Sequence, residues 1–523
     1  MTPTSLPGLS RGAFLLTLAL APLSAPSFSQ AQAVAQIPTK FVPATESIQR
    51  LIEREMEHKA LPALSIALVD DQQVVWARGF GIANQKDSTP ATAETVYRVG
   101  SVSKLFTDIA IMQLVERGEL DLDAPIQRYL PDFRPINPFG KPITLRQMMA
   151  HRSGLVREPP VGHYFDNTSP SLAATVKSLN STSLVYEPGQ RSKYSNAAIS
   201  VVGYVLERRQ QEPFPAYMKR MVLDPVGLQH TSFEPTPATT RSLASAFMWG
   251  MDRPRFPAPT FELGTGPAGN LYSTVTDLGR FMTVLFGGGR AAGGPLLRTT
   301  TLEQMWVPQF ASPGATQGFG LGFAISELDG HRRVGHGGAI YGFATELSAL
   351  PDAKLGVAVA TNVDVTNTVT GQIGEFALRA MLAARAGRPM PEMPALQPLL
   401  VTRDTLPSLP LERPSASPPR LNGLIGEYGW DHNILYILEH GGKLWALIEW
   451  FFAYPLEEIS RDVFAFPKSG LYDGERLIFT RQSREGKARQ VKAASVVFKR
   501  RVVGPETGST QLRITPTRSV AEL

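Results

Sequence analysis

The sequence predicts an α+β domain, an antiparallel sheet flanked by helices with a helical region beside it, followed by a small all-β C-terminal module. Three observations carry this. Strand-like runs lie near both ends of the first 387 residues while helical periodicity fills the middle, so strands from the two ends can share one sheet. Nine prolines fall within 388–420, from Pro389 to Pro419, the composition of a linker. Beyond it, 421–503 alternates apolar and polar residues in short runs around Gly-rich turns, which suits a small barrel-like module.

The elements follow in order. Ser47–Met56 has the apolar spacing of an amphipathic helix. Ala63–Val69 and Val74–Arg78 flank the polar stretch Asp70-Asp71-Gln72-Gln73, a hairpin signal. From about 101 to 285 the chain reads as mainly helical with long loops, and Thr107–Arg117 is its strongest helix, with Gly118 placed to end it. Strands return at Gly320–Ile325, Ala344–Leu350 and Leu355–Thr361, with Pro351-Asp352-Ala353-Lys354 as the turn between the last two. A helix from about Val369 to Ala384 closes the domain. Leu435–Leu438, Leu444–Ile448 and Ser495–Phe498 are strands of the module, and the polar residues 504–523 form a tail.

Composition narrows the function. The 523 residues suit two or three domains, and 43% hydrophobic with 19% charged residues is ordinary for a globular chain. The net charge of +6 is spread along the chain without a basic stripe, which argues against a nucleic-acid partner. With no cysteine, disulfides, thiolate metal sites and cysteine nucleophiles are excluded. Arg11, the apolar run Ala13–Ala21 and two A-x-A sites ending at Ala33 and Ala35 make residues 1–35 a secretory leader. The expectation is therefore an exported, periplasmic or extracellular protein. No later run is long enough to span a bilayer once the leader is removed.

Three short motifs carry chemistry. Ser101-Val102-Ser103-Lys104 is the only S-x-x-K in the chain and sits between the strand-like Val96–Val99 and the strong helix. A serine hydroxyl needs a base, and a lysine one helical turn away can supply one if burial or a cation lowers its pKa from ~10.4. The helix N-terminus favours the negative charge that develops during attack. Tyr194-Ser195-Asn196 is the only Y-x-N. An adjacent ammonium would lower the tyrosine from its usual ~10 and make it a general base, while Asn196 can donate to a substrate carbonyl and accept from lysine. His336-Gly337-Gly338-Ala339 lies between turn residues and a strand. Its glycines admit a substrate backbone, an edge strand there can pair with a peptide-like substrate, and its amides can stabilise an oxyanion.

Other matches are set aside. His440-Gly441-Gly442 and Lys468-Ser469-Gly470 mimic the third motif but lie past the linker, and His151 reads as structural. Gly8-Leu9-Ser10-Arg11-Gly12 imitates a nucleophile elbow inside the leader. No zinc-protease, P-loop or dinucleotide fingerprint is present, so no metal and no cofactor are expected.

The three motifs in this order resemble the serine β-lactamase and penicillin-binding-protein superfamily, which includes class C β-lactamases, D,D-peptidases, D-aminopeptidases and carboxylesterases. Arg98–Lys104, Ile143–Leu155 and Gly266–Leu278 are similar to its typical lines, and the likeness covers about 45 to 385. The resemblance implies a β-lactamase/transpeptidase-like fold over 36–387. It implies Ser101 as acylated nucleophile, Lys104 and Tyr194 as a shared base, and Asn196, His336, Gly337 and Gly338 as substrate-binding residues. The backbone amides of Ser101 and Ala339 would form the oxyanion hole. His336 stands where the β-lactamases of this branch have lysine, which weakens the case for efficient β-lactam hydrolysis. The expected activity is acyl-enzyme hydrolysis of an ester or of an amide of the D-amino-acid peptide type, possible sources including peptidoglycan. A catalytically weak penicillin- or peptidoglycan-binding protein, a low-efficiency β-lactamase and an assembly role for the β module are the competing readings.

Overall fold

The computed structural model describes residues 37–248, 255–396, 417–430, 433–448 and 452–502. The expected leader and the 504–523 tail lie outside these residues, as does most of the Pro-rich linker.

An eight-stranded antiparallel sheet organises the part of the chain before the Pro-rich linker. From one edge its order is Gly318–Phe319, Ala324–Leu328, His331–Ile340, Phe343–Leu350, Leu355–Thr361, Ala63–Asp70, Gln73–Asn84 and Thr89–Pro90. The strand Ala63–Asp70 lies between an N-terminal and a C-terminal partner, with Ala67 opposite both Ala77 and Ala358. Strands from the two ends of the domain therefore share the sheet, as the sequence predicts.

Each face of the sheet is covered, and strand alternation decides which side chain goes where. Leu64, Ile66 and Leu68 point to the side packed by the helices Val42–His58 and Asn367–Arg385. Ala63, Ala67 and Val69 point to the larger core, which holds the helices Ser103–Glu116, Asn196–Gln210 and Val275–Phe286. The helix Ser103–Glu116 is buried on every side, from Ser103 through Leu114, which is the behaviour of a central core helix rather than a surface one. It starts four residues earlier than the apolar pattern predicts, because its first two residues, Ser103 and Lys104, are polar.

Two sequence expectations are corrected. Gly320–Ile325 is not one strand: pairing begins at Ala324 and runs to Leu328. Gly320 packs so closely on the Met305 carbonyl that a Cβ would lie 2.0 Å from its oxygen, and Gly322 has φ +82°, so this segment turns instead. His336–Ile340 does not follow a turn; it is the second half of the strand His331–Ile340, and the turn comes after it at Tyr341-Gly342.

The module forms a four-stranded sheet (Gly426–Trp430, Asn433–His440, Lys443–Ile448, Phe452–Pro455) and a five-stranded one (Glu457–Ser460, Val463–Ala465, Arg476–Arg481, Ala488–Ala493, Val496–Lys499). A bridge between Tyr428 and Arg500 joins the two, and the apolar faces enclose a common core including Tyr428, Leu477, Val491 and Phe498. Phe165, from the part before the linker, packs against this core, its ring 5.2 Å from that of Phe498. Both decoy motifs lie in turns of the module: Gly441 and Gly442 have positive φ, and Lys468-Ser469-Gly470 is a bend.

Candidate active site

Ser101 sits in the 3-10 turn Gly100–Val102 that leads directly into the helix Ser103–Glu116. The turn is fixed from both sides. Ser103 Oγ donates to the Gly100 carbonyl at 2.6 Å and accepts from the Leu271 amide at 3.0 Å. Gly100 has φ +52°, and a Cβ there would lie 2.7 Å from the Ala339 amide nitrogen. A Cβ at Gly338 would lie 2.0 Å from the Val99 carbonyl oxygen. These two glycines let the strand bearing Ala339 pass against the turn bearing Ser101, and so bring two of the predicted motifs into backbone contact.

Tyr194-Ser195-Asn196 is held by its middle residue. Ser195 caps the helix Asn196–Gln210, its Oγ accepting from the Ala198 amide at 2.9 Å and donating to the Val156 carbonyl at 2.7 Å. Its own amide donates to His151 Nδ1 at 3.3 Å, and the His151 ring lies 4.2 Å from the Tyr194 ring. His151 therefore seats the tyrosine, in keeping with the structural role read from the sequence.

The three motifs meet at the Ser101 hydroxyl. Lys104 Nζ lies 3.0 Å from Ser101 Oγ, and the Tyr194 hydroxyl donates to the same oxygen at 2.8 Å. Lys104 also donates to Asn196 Oδ1 at 2.9 Å and to the Ala268 carbonyl at 2.8 Å, and is wholly buried. Burial, and then the charge of Arg157, push its pKa down to about 7. Asn196 Nδ2 donates to Glu158 Oε1 at 2.6 Å, so both ends of this amide are engaged in holding the lysine. Burial raises the pKa of Glu158.

The expected tyrosinate is not what the environment favours. Protein packed around Tyr194 raises it to about 12, and the contact with Ser101 only partly offsets this. The physical reason is burial: the enclosed hydroxyl loses the solvation that a phenolate needs, and the nearby Glu158 adds to the rise. The lysine, not the tyrosine, is the group poised to titrate near neutral pH.

His336 is buried, its Nδ1 2.6 Å from the Gly337 carbonyl and its ring 6.0 Å from that of Tyr194. Burial, then the charge of Lys104, bring it down to about 4, so it is a neutral imidazole at pH 7 and not a substitute for a lysine cation. Gly337 and Ala339 are exposed along the same strand. This strand is not an edge of the sheet over its first half, where Ala324–Leu328 pairs with His331–Gly335. From His336 onward it pairs only with Phe343–Leu347, so the opposite edge is open where the sequence reading needs it.

Sequence reasoning missed Glu158, Arg157 and the Ala268 carbonyl. The last lies in Gly266–Leu278, a stretch similar to the family's lines, but a backbone acceptor leaves no side-chain signature.

Residues 48–380 match the family model described as Beta-lactamase. The chain belongs to the beta-lactamase family. Among its relatives, the human beta-lactamase-like 1 protein is 31% identical over 327 residues, 60% of this chain and 64% of the relative's own length. The beta-lactamase-like fold recurs in a penicillin-binding protein homologue from Pyrococcus abyssi, with TM-score 0.57 and 23% identity over 86% of this chain and 97% of that one. It recurs also in the D-amino acid amidase of Ochrobactrum anthropi SV3, with TM-score 0.56 and 21% identity over 66% of this chain and 99% of that one. Among the described residues no helix is long and apolar enough to cross a membrane.

Two predictions follow from this geometry. A valine at Gly338 would drive its side chain into the Val99 carbonyl, so Gly338→Val should reduce hydrolysis at least about a hundredfold while circular dichroism keeps the native spectrum. Lys104 titrates near 7 in the folded chain and near ~10.4 when unfolded, so between these values the unfolded chain binds more protons and stability rises with pH. The burden of the buried charge is full below pH 7. Lys104→Met should therefore raise the melting temperature relative to wild type more at pH 6 than at pH 9.5.

Proposed function

We propose that the protein is a serine hydrolase that forms an acyl-enzyme on Ser101 and acts on esters or on amides of the D-amino-acid peptide type. The observation that carries this is the pair of contacts at one hydroxyl: Lys104 Nζ at 3.0 Å and the Tyr194 hydroxyl at 2.8 Å.

Lys104 acts as the base. When neutral, the amine has two N–H groups and one lone pair. Two of its three partners, Asn196 Oδ1 and the Ala268 carbonyl, can only accept and so take both N–H groups. The lone pair then faces Ser101, the one partner with a proton to give. As Oγ attacks the substrate carbonyl, its proton passes to Lys104 and the oxyanion is met by the amides of Ser101 and Ala339. Tyr194, protonated, gives its proton to the leaving alkoxide or amine as the carbonyl bond to it breaks, and takes one back from Lys104, which returns to the neutral amine. Water then attacks the acyl-enzyme and its proton passes to Lys104; as the bond between Oγ and the acyl carbon breaks, Oγ takes that proton back and Ser101 is regenerated.

The neutral imidazole of His336 disfavours substrates that need a cation for their carboxylate, and so favours simple esters and amides over β-lactams. The D-amino-acid class draws support from the fold shared with the D-amino acid amidase. The Arg11 and Ala13–Ala21 pattern supports export of the chain.

Intact-protein mass after exposure to a fluorophosphonate, and separately to a labelled penicillin, tests the proposal. Wild type should gain one fluorophosphonate adduct that Ser101→Ala lacks, with little penicillin adduct. The labelling rate should rise with pH through a midpoint near 7, as Lys104 loses its proton. No adduct on folded wild type would overturn the enzyme reading and leave a binding protein. Ready penicillin labelling would move the substrate towards peptidoglycan-like peptides.

A further inference from the structure

The β module reaches the back of the catalytic turn through the loop Tyr472–Glu475 and through Ser495. Tyr472–Glu475 connects two strands of the module, and its shape is set internally by the Glu475 amide donating to the Tyr472 carbonyl at 2.9 Å and the Phe466 amide donating to the Glu475 carbonyl at 3.1 Å. Gly474 has φ +75°, and a Cβ there would lie 2.5 Å from the Tyr186 hydroxyl, so the loop seats on the catalytic part only because this residue is glycine. Asp473 accepts from Tyr186 at 2.5 Å and from Arg191 at 2.6 Å. Ser495 Oγ donates to the Glu158 carbonyl.

Glu475 is the deepest of these contacts. Its carboxylate lies 2.7 Å from Lys193 Nζ, and both side chains are 2% exposed. The same Oε1 accepts from the Arg157 amide at 3.2 Å. Lys193 immediately precedes Tyr194. The Arg157 carbonyl accepts from the Asn196 amide at 2.9 Å, and the Arg157 guanidinium lies 5.4 Å from the Tyr194 ring centroid. One carboxylate from the module thus ties together the two segments that frame Tyr194.

We infer that Glu475 is a positioning residue for Tyr194 and Asn196, so that the module is a working part of the active site and not an appendage to it. The inference rests on the serine-hydrolase reading for its catalytic consequence, but not for its structural one. Removing one partner of a buried pair leaves an uncompensated charge next to the catalytic turn, which a surface pair such as Arg420–Glu458 would not do.

The test uses the full-length chain as wild type, Glu475→Gln, Lys193→Met and the surface control Glu458→Gln. Hydrogen–deuterium exchange is followed in peptides covering 152–160, 190–198 and 103–116, together with ester turnover. Glu475→Gln and Lys193→Met should both raise exchange in the first two segments and leave the third at its wild-type level. They should lower kcat at least about tenfold with KM within about twofold, while Glu458→Gln matches wild type throughout. Unchanged exchange at 152–160 and 190–198, or a rise spread evenly over the catalytic part, would overturn the inference. If wild type shows no turnover, the serine-hydrolase reading fails, and the exchange pattern still decides whether Glu475 holds this turn.

Discussion

Everything at this site depends on a lysine taken out of water and given three partners. A buried ammonium is costly, and Lys104 sits in a helix that is enclosed on all sides. The protein neither exposes it nor pairs it closely with a carboxylate. Asp108, one turn further along the same helix, is also buried, and burial raises its pKa well above the carboxylate range. Glu158 is shifted in the same direction and is joined to the lysine by hydrogen bonds through Asn196. The surroundings thus withhold the full counter-charges that would fix the ammonium as a cation. What they supply instead is two fixed acceptors, which orient an amine without forcing it to stay protonated.

That arrangement sets demands on the rest of the fold. The Ala268 carbonyl must be presented by the short helix Gly266–Gly269, and Asn196 by the start of another helix. Ser101 must lie where a 3-10 turn becomes an α-helix, with a strand close enough to offer an amide. Gly100 and Gly338 meet the last demand by omitting side chains where two backbones touch. The sheet serves the site chiefly by holding that strand: its first half is paired on both sides, and the half beside Ser101 keeps one edge open.

Much of this was legible in the sequence, for identifiable reasons. S-x-x-K and Y-x-N are compact, and helix geometry links Ser101 to Lys104 whatever the surroundings. The strands Ala63–Asp70 and Leu355–Thr361 were visible because they are continuous apolar runs bounded by polar turns. Gly320–Ile325 misled because its glycines serve close approach and a turn, which look the same in sequence as glycines within a strand. The protonation of Tyr194 differs from the sequence reading because burial of the hydroxyl, which disfavours the phenolate, is set by segments far apart in the chain. Glu158 and Glu475 were invisible, since contacts between segments far apart in the chain carry no local pattern.

The central claim is that Lys104 is a neutral amine for a substantial fraction of molecules at pH 7. The most direct measurement is the titration of its side-chain nitrogen by 15N NMR in lysine-labelled protein, with Lys104→Met to assign the signal. The account predicts a midpoint near 7, well apart from the surface lysines. A midpoint near ~10 would contradict it, because the amine would then be a fixed cation at neutral pH and the proton of Ser101 would need another acceptor.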